Sequence, residues 1–230
     1  MLKAVIFDFD GVIADDERLH LEGFRLALAS HGISLVEADY FARYVGLDDH
    51  DGFVAMLQAD GRSSDEAMVA ELMERKKQAF KGLIEDRVNI FPGVRELLGD
   101  LRGSRPLPCA IGSGALRSEI ELILSMAGLR SMFDVIVSAE DVSRGKPDPE
   151  TFSLARRKLA AAAGPLEPAE CLVIEDSVQG LQAAVRAGMK TLAVTNTHPR
   201  DMLRADCVVG SLEEVDRRRL SLIFDDGNGV

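Results

Sequence analysis

The sequence predicts an α/β protein built on a doubly wound parallel sheet, with one α-helical insertion. Three observations predict it. Short apolar runs alternate with longer stretches of helical periodicity, the trace left by parallel strands and their crossover helices. Between Asp15 and Arg87 that rhythm breaks and only helical patterns remain. Acidic residues, a Gly-flanked Ser and a Lys-Pro turn then collect just past the carboxyl ends of the apolar runs, where an open sheet of this kind binds its ligand.

The expected strands are residues 4–9, 108–111, 135–138, 171–174, 191–194 and 207–209. Between them lie helical patterns at 94–101, 117–127, 149–162 and 177–187, and a short one from 212. Inside the insertion, Leu19, Phe24, Leu26 and Leu28, then Met68, Leu72 and Met73, mark apolar helix faces. Phe91-Pro92-Gly93 punctuates the return to the sheet. The division expected is a core of residues 1–14 and 88–230 and a helical domain of 15–87, with hinges at 13–16 and 85–91. Residues 160–163, all Ala, run into Gly164-Pro165 and read as a helix end and turn. Arg217, Arg218 and Arg219 read as a solvated helix end complementing its dipole, and the tail 225–230 as frayed.

Composition excludes several classes. With 47% hydrophobic and 28% charged residues, the 230-residue chain can bury a substantial core. A formal net charge of −11 repels polyphosphate backbones and anionic lipid, so nucleic acid and membrane surfaces are poor partners. No apolar run approaches the roughly 20 residues of a spanning helix, and acids interrupt the first apolar run where a signal peptide would continue; the expectation is a cytoplasmic chain. Cys109, Cys171 and Cys207 are odd in number and scattered, which fits reduced core residues rather than a disulfide framework or zinc site.

The first strand runs into Asp8-Phe9-Asp10-Gly11. Strand alternation would turn Asp8 and Asp10 to the same side, above a turn that Gly11 permits. Two carboxylates so close need a compensating cation, and hard oxygen ligands of this kind favour Mg²⁺. Ser113 and Gly114 close the second run in Ile111-Gly112-Ser113-Gly114. Lys146 follows the third, in Gly145-Lys146-Pro147-Asp148-Pro149, and Glu175-Asp176-Ser177 closes the fourth.

These four motifs, in this order at four strand ends, resemble the haloacid dehalogenase superfamily over nearly the whole chain. The helical insertion looks like the cap of its β-phosphoglucomutase-like branch, which includes many sugar-phosphate phosphatases. The resemblance implies a Rossmann-like core, a Mg²⁺ cofactor and phosphoryl transfer through an aspartyl-phosphate on Asp8. It implies Asp10 as general acid and base, with its backbone carbonyl on the metal, and Asp176 as a direct metal ligand. Glu175 would be a further ligand or stand just outside the metal. Ser113, the Gly114 N–H and Lys146 would hold the transferring phosphoryl group.

The cap is expected to choose the leaving group. His20 stands where related enzymes keep a histidine near the acid/base aspartate, and reads equally as a packing residue. Residues 44–51 look like the cap loop that faces the site, although Asp48, Asp49 and Asp51 read as well as a solvated acidic turn. β-Phosphoglucomutases carry a Lys and an Arg in this loop for the second phosphate; here Val45 and Asp49 occupy those positions. The phosphate-gripping Ser-Lys pair after Ser113 is likewise Ala115 and Leu116, with Arg117 one place late as a possible substitute. Hydrolase therefore ranks above mutase. Val45 also argues against the Schiff-base phosphonate-cleaving branch, and Asp10 against the true dehalogenases. The expected substrate is a small phosphorylated metabolite; a catalytically idle phosphate-binding module is the remaining alternative.

Overall fold

The structure, a computed structural model, describes residues 1–84 and 89–224. The chain forms two compact units, Met1–Ala14 with Ile90–Val230, and Asp15–Asn89. The boundary expected at residues 87 and 88 and the tail 225–230 lie outside the described residues, as does part of the second expected hinge.

In chain order, β1 (Ala4–Phe7) precedes the helices of the insertion, α1 (Glu17–Ala29), α2 (Glu37–Arg43), α3 (Asp49–Ala59) and α4 (Glu66–Ile84). The core resumes with α5 (Val94–Leu101), β2 (Cys109–Gly112), α6 (Arg117–Ala127), β3 (Val135–Val137), α7 (Glu150–Ala163), β4 (Cys171–Glu175), α8 (Val178–Arg186), β5 (Lys190–Val194), β6 (Cys207–Val209) and α9 (Arg217–Leu222).

All six strands pair in parallel, in the order β3-β2-β1-β4-β5-β6. β1, β2 and β4 are buried at every residue, which is why they read as unbroken apolar runs. On one face, Phe152, Ala155 and Leu159 of α7 and Ala183 and Ala184 of α8 pack with Ile6, Ala110, Val137 and Val173 of the sheet. Burying a side chain as large as Phe152 contributes roughly 1.5–3 kcal/mol. The winding reverses between β1 and β4, so the ligand crevice of such a sheet falls above these two strands. Register fixes what stands there: Phe7 lies opposite both Ile111 and Ile174, so Asp8 and Glu175 follow at the level of Gly112, with Ser113 one residue beyond.

The insertion has its own core. Leu21, Phe24 and Leu28 of α1, Phe53, Met56 and Leu57 of α3, and Val69 and Leu72 of α4 pack with Tyr40, and Met68 and Met73 border them. Leu26 falls off the 21-24-28 stripe and is half exposed, so it does not belong to the expected apolar face.

Three local expectations need correction. The first strand stops at Phe7, because the Phe9 carbonyl accepts hydrogen bonds from the N–H groups of Val12, Ile13 and Ala14 and winds the chain into a turn. Strand alternation therefore does not extend to Asp10. Asp15 reads in the sequence as a cap of the first inserted helix or a residue that steadies the hinge; Asp16 holds the cap position instead, and the Asp15 N–H donates to the Asn89 carbonyl. Arg217, Arg218 and Arg219 open a helix rather than end one: Asp216 accepts a hydrogen bond from the Arg219 N–H and fixes the start there. Cys109 and Cys171 are buried, Cys207 is half-buried, and all three are free thiols. Among the described residues no helix is long and apolar enough to cross a membrane.

Candidate active site

The crevice above β1 and β4 holds a crowded charge cluster. The Lys146 ammonium lies 2.7 Å from Asp8 Oδ1 and 2.7 Å from Glu175 Oε1, while its side chain is only 10% exposed. Carboxylate oxygens of Asp8, Glu175 and Asp176 all lie within 4.8 Å of one another, and all three residues are buried. The Phe152 ring centroid, 4.9 Å from the amine, walls its inner side.

Each member is positioned by its strand end. The Asp8 N–H donates to the Ile174 carbonyl of β4, and its Oδ1 accepts from the Phe9 N–H. Glu175 accepts on Oε2 from the Asp176 N–H, the Ser177 N–H and the Ser177 hydroxyl, while Oε1 takes Lys146. Ser177 in turn caps α8 by accepting from the Gly180 N–H. Gly180 is obligatory for space, since a Cβ there would stand 1.6 Å from Glu175 Oε1. Gly11 is required twice over: its φ is +75°, and a Cβ would stand 1.9 Å from Asp176 Oδ2.

Burial and the Glu175 charge hold the Asp8 carboxyl well above its usual value, with Lys146 pulling the other way. Glu175 lies below its usual range: burial opposes this, but Lys146 and the hydrogen bonds prevail. Burial disfavours the charged amine of Lys146, yet Asp8 and Glu175 raise its pKa. With all three acids ionised, they and one ammonium would sum to −3 + 1 = −2, an excess that a divalent cation with hard oxygen ligands matches. The residues present fit Mg²⁺.

The other expected site residues divide. Ser113 is buried at the end of β2, with its N–H on the Val137 carbonyl and its hydroxyl oxygen accepting from the Ala115 N–H; Gly114 beside it is exposed. Asp10 is half-buried on the turn after β1, and its carboxylate is not one of the three that surround Lys146. Arg117 donates to the carboxylate of Asp141 and to the Ile136 carbonyl, which commits its guanidinium to the end of β3.

Inside the helical unit, Asp48 caps α3 by accepting from the Asp51 N–H, so these acids form a structured helix start rather than a loose turn. Asp49 is ion-paired to Lys76, a fully buried lysine of α4. Its negative charge is therefore matched within the helical unit. His20 Nδ1 lies 2.8 Å from the same amine, and the ring packs on Phe80 with centroids 4.3 Å apart. An ammonium can only donate, so Nδ1 accepts and the histidine proton stands on Nε2, 3.5 Å from Asp16 Oδ2.

Sequence reasoning missed Lys76, although a signal existed. Val69, Leu72, Lys76, Phe80 and Ile84 are the buried positions of α4, and a lysine on such a stripe marks a buried charge. It also missed Asn196 and Thr197, just beyond β5, which carry no motif. The Asn196 amide donates to the Gly11 carbonyl over 2.7 Å, and the Thr197 hydroxyl donates to Asp176 Oδ2.

A parallel sheet in this order, with an acid-and-lysine cluster at its reversal point and a helical insertion after the first strand, defines an α/β enzyme core that carries an inserted helical unit. A family model described as haloacid dehalogenase-like hydrolase matches residues 5–194, and the chain belongs to that family. It is 32% identical to the phosphorylated carbohydrates phosphatase of Thermotoga maritima, covering 83% of this chain and 84% of that one. It is 31% identical to the beta-phosphoglucomutase of Bacillus subtilis, over 90% and 89% of the two chains. In fold it matches the crystal structure of beta-phosphoglucomutase from Clostridium difficile with a TM-score of 0.86 at 24% identity, over 98% of both chains.

Proposed function

We propose that the protein is a Mg²⁺-dependent phosphatase of a small phosphorylated metabolite, working through an aspartyl-phosphate on Asp8. The observation that carries this reading is the Lys146 amine held 2.7 Å from both Asp8 and Glu175 beside the buried carboxylate of Asp176. Asp8 and Asp176, with the backbone carbonyl of Asp10, would hold the ion. Mg²⁺ bound there would neutralise the excess negative charge and let an anionic phosphoryl group approach Asp8. Glu175, whose oxygens already accept four hydrogen bonds, orients Lys146 and the start of α8.

Asp8 attacks phosphorus as a carboxylate, which needs no base to activate it once ionised. Asp10 protonates the leaving oxygen and then takes the proton from the attacking water. Lys146, the Ser113 hydroxyl and the Gly114 N–H bind the phosphoryl oxygens, placing positive charge and donors where charge collects. The T. maritima relative supports hydrolysis, and so does the sequence of the insertion, where Val45 and Asp49 occupy the positions at which β-phosphoglucomutases carry the cations for a second phosphate.

The test is phosphate release with and without Mg²⁺ from a panel of phosphorylated metabolites. The panel includes β-glucose 1-phosphate with its bisphosphate activator. Mg²⁺-dependent release that Asp8→Asn abolishes is the expected result. Isomerisation without release would replace the phosphatase reading by that of the B. subtilis relative, a mutase.

A further inference from the structure

We propose that Asn196 and Thr197, on the loop after β5, act as a positioning clamp for the metal site. This inference rests on the Mg²⁺ reading above. Neither residue belongs to the four strand-end motifs, and they come from a strand that supplies no acid to the cluster. The loop is rooted in the sheet, since the Thr195 N–H donates to the Val209 carbonyl of β6. From there it reaches back over β4 to both arms of the site.

Thr197 grips one arm: its hydroxyl donates to Asp176 Oδ2. Asn196 grips the other: its amide donates to the carbonyl of Gly11, the residue after Asp10. Gly11 itself lies against Asp176, where an added Cβ would meet Asp176 Oδ2 at 1.9 Å and Thr197 Oγ1 at 2.9 Å. The turn after β1, the end of β4 and the loop after β5 therefore meet at one point. A carboxylate on a two-bond side chain swings freely unless something fixes it; a donor on one oxygen sets its plane. The Asn196 bond sets the depth of the turn that carries the Asp10 carbonyl. Outer partners of metal-binding carboxylates characteristically change metal affinity by about 10–100-fold when removed.

Calorimetric titration of Mg²⁺ into the metal-free protein tests this without turnover. Thr197→Val keeps the shape and deletes the hydroxyl; it should weaken Mg²⁺ binding by roughly tenfold or more. Its melting temperature without metal should change little. Thr197→Ser restores the hydroxyl and should bind within about twofold of the parent. Asn196→Ala should weaken binding in the same direction and carries the test if Thr197→Val does not fold. Parent-like affinity in folded Thr197→Val, or in Asn196→Ala where that variant carries the test, would overturn the clamp while leaving the phosphatase reading intact. A parent that binds no Mg²⁺ would overturn the metal reading itself, and the clamp with it.

Discussion

Among the described residues two lysines are shielded from water, one in each unit, and they keep different company. Lys146 in the core forms ion pairs with two carboxylates, and a third, Asp176, stands within reach of both. Lys76 in the helical unit pairs with one carboxylate, Asp49, and leans on the Phe24 ring with its nitrogen 4.5 Å from the centroid. Burial alone does not distinguish them. Charge balance does: acids outnumber the cation in the core and match it one to one in the helical pair. An excess of buried acid is a site that awaits a cation, whereas a matched pair is complete and serves to hold helices and a histidine in place.

The largest test of this contrast is Asp8→Asn. Phosphate release should fall by roughly 10³-fold or more, as it does when a nucleophile is removed. The same change removes one of three crowded charges, so the metal-free protein should melt at a higher temperature than the parent. A lower melting temperature in the absence of metal would break the charge-excess account of the core.

In the helical unit the sign reverses. Lys76→Met strands Asp49 in a largely buried position, and removing one partner of such a pair costs about 3–5 kcal/mol. Adding Asp49→Leu should recover most of that loss, because two apolar groups replace a matched pair at little cost. Urea midpoints of the parent, the single and the double variant read this directly. A single variant as stable as the parent would mean that Lys76 is not paired in solution.

A third test addresses how tightly the core cluster is built. Gly→Ala inside a helix ordinarily stabilises by about 0.5–1 kcal/mol. Gly180→Ala should instead destabilise by about 1–3 kcal/mol through overpacking, because its methyl would strike the Glu175 carboxylate. Displacing Glu175 also releases Lys146, so phosphate release should fall with stability. A stabilised and active Gly180→Ala would show the Glu175 end of the cluster to be loose.

This contrast also explains what was legible in the sequence. Parallel strands buried on both faces leave unbroken apolar runs, and their register carries Asp8, Ser113 and Glu175 to one edge. The core cluster could therefore be read as four motifs at four strand ends. Asp10 was legible as a residue but not in orientation, because the Phe9 carbonyl collects three N–H groups and ends the strand early. Lys76 was hidden because a helix spreads its buried face over every third or fourth position, and the polar residues around it mask one lysine in the stripe. Thr197 was hidden for a different reason: it acts on Asp176 from 21 residues away, across a strand boundary that no local pattern encodes.

More exposed than either lysine is a third ion cluster, at the end of β3. Asp141 accepts from the Ser138 N–H at 2.9 Å, from the Ser138 hydroxyl at 3.1 Å, from Lys158 at 3.2 Å and from Arg117. Burial alone would raise its pKa, but these donors and charges bring it down from 3.8 to about 2. A carboxylate held below its unfolded value stabilises the fold at pH above about 4 and loses that contribution as pH falls toward 2. Arg117 and Lys158 are wet, with side chains 39% and 41% exposed, so solvent screening limits the contribution to about 1 kcal/mol. Asp141→Asn should therefore trail the parent by about that much in urea unfolding at pH 6, and the gap should close as the pH is lowered to 3 and below. A gap that stays constant with pH would assign the loss to the Ser138 hydrogen bonds rather than to charge. Partners left in water would then contribute nothing measurable, and charge balance would matter only where, as at Lys146 and Lys76, water is shut out.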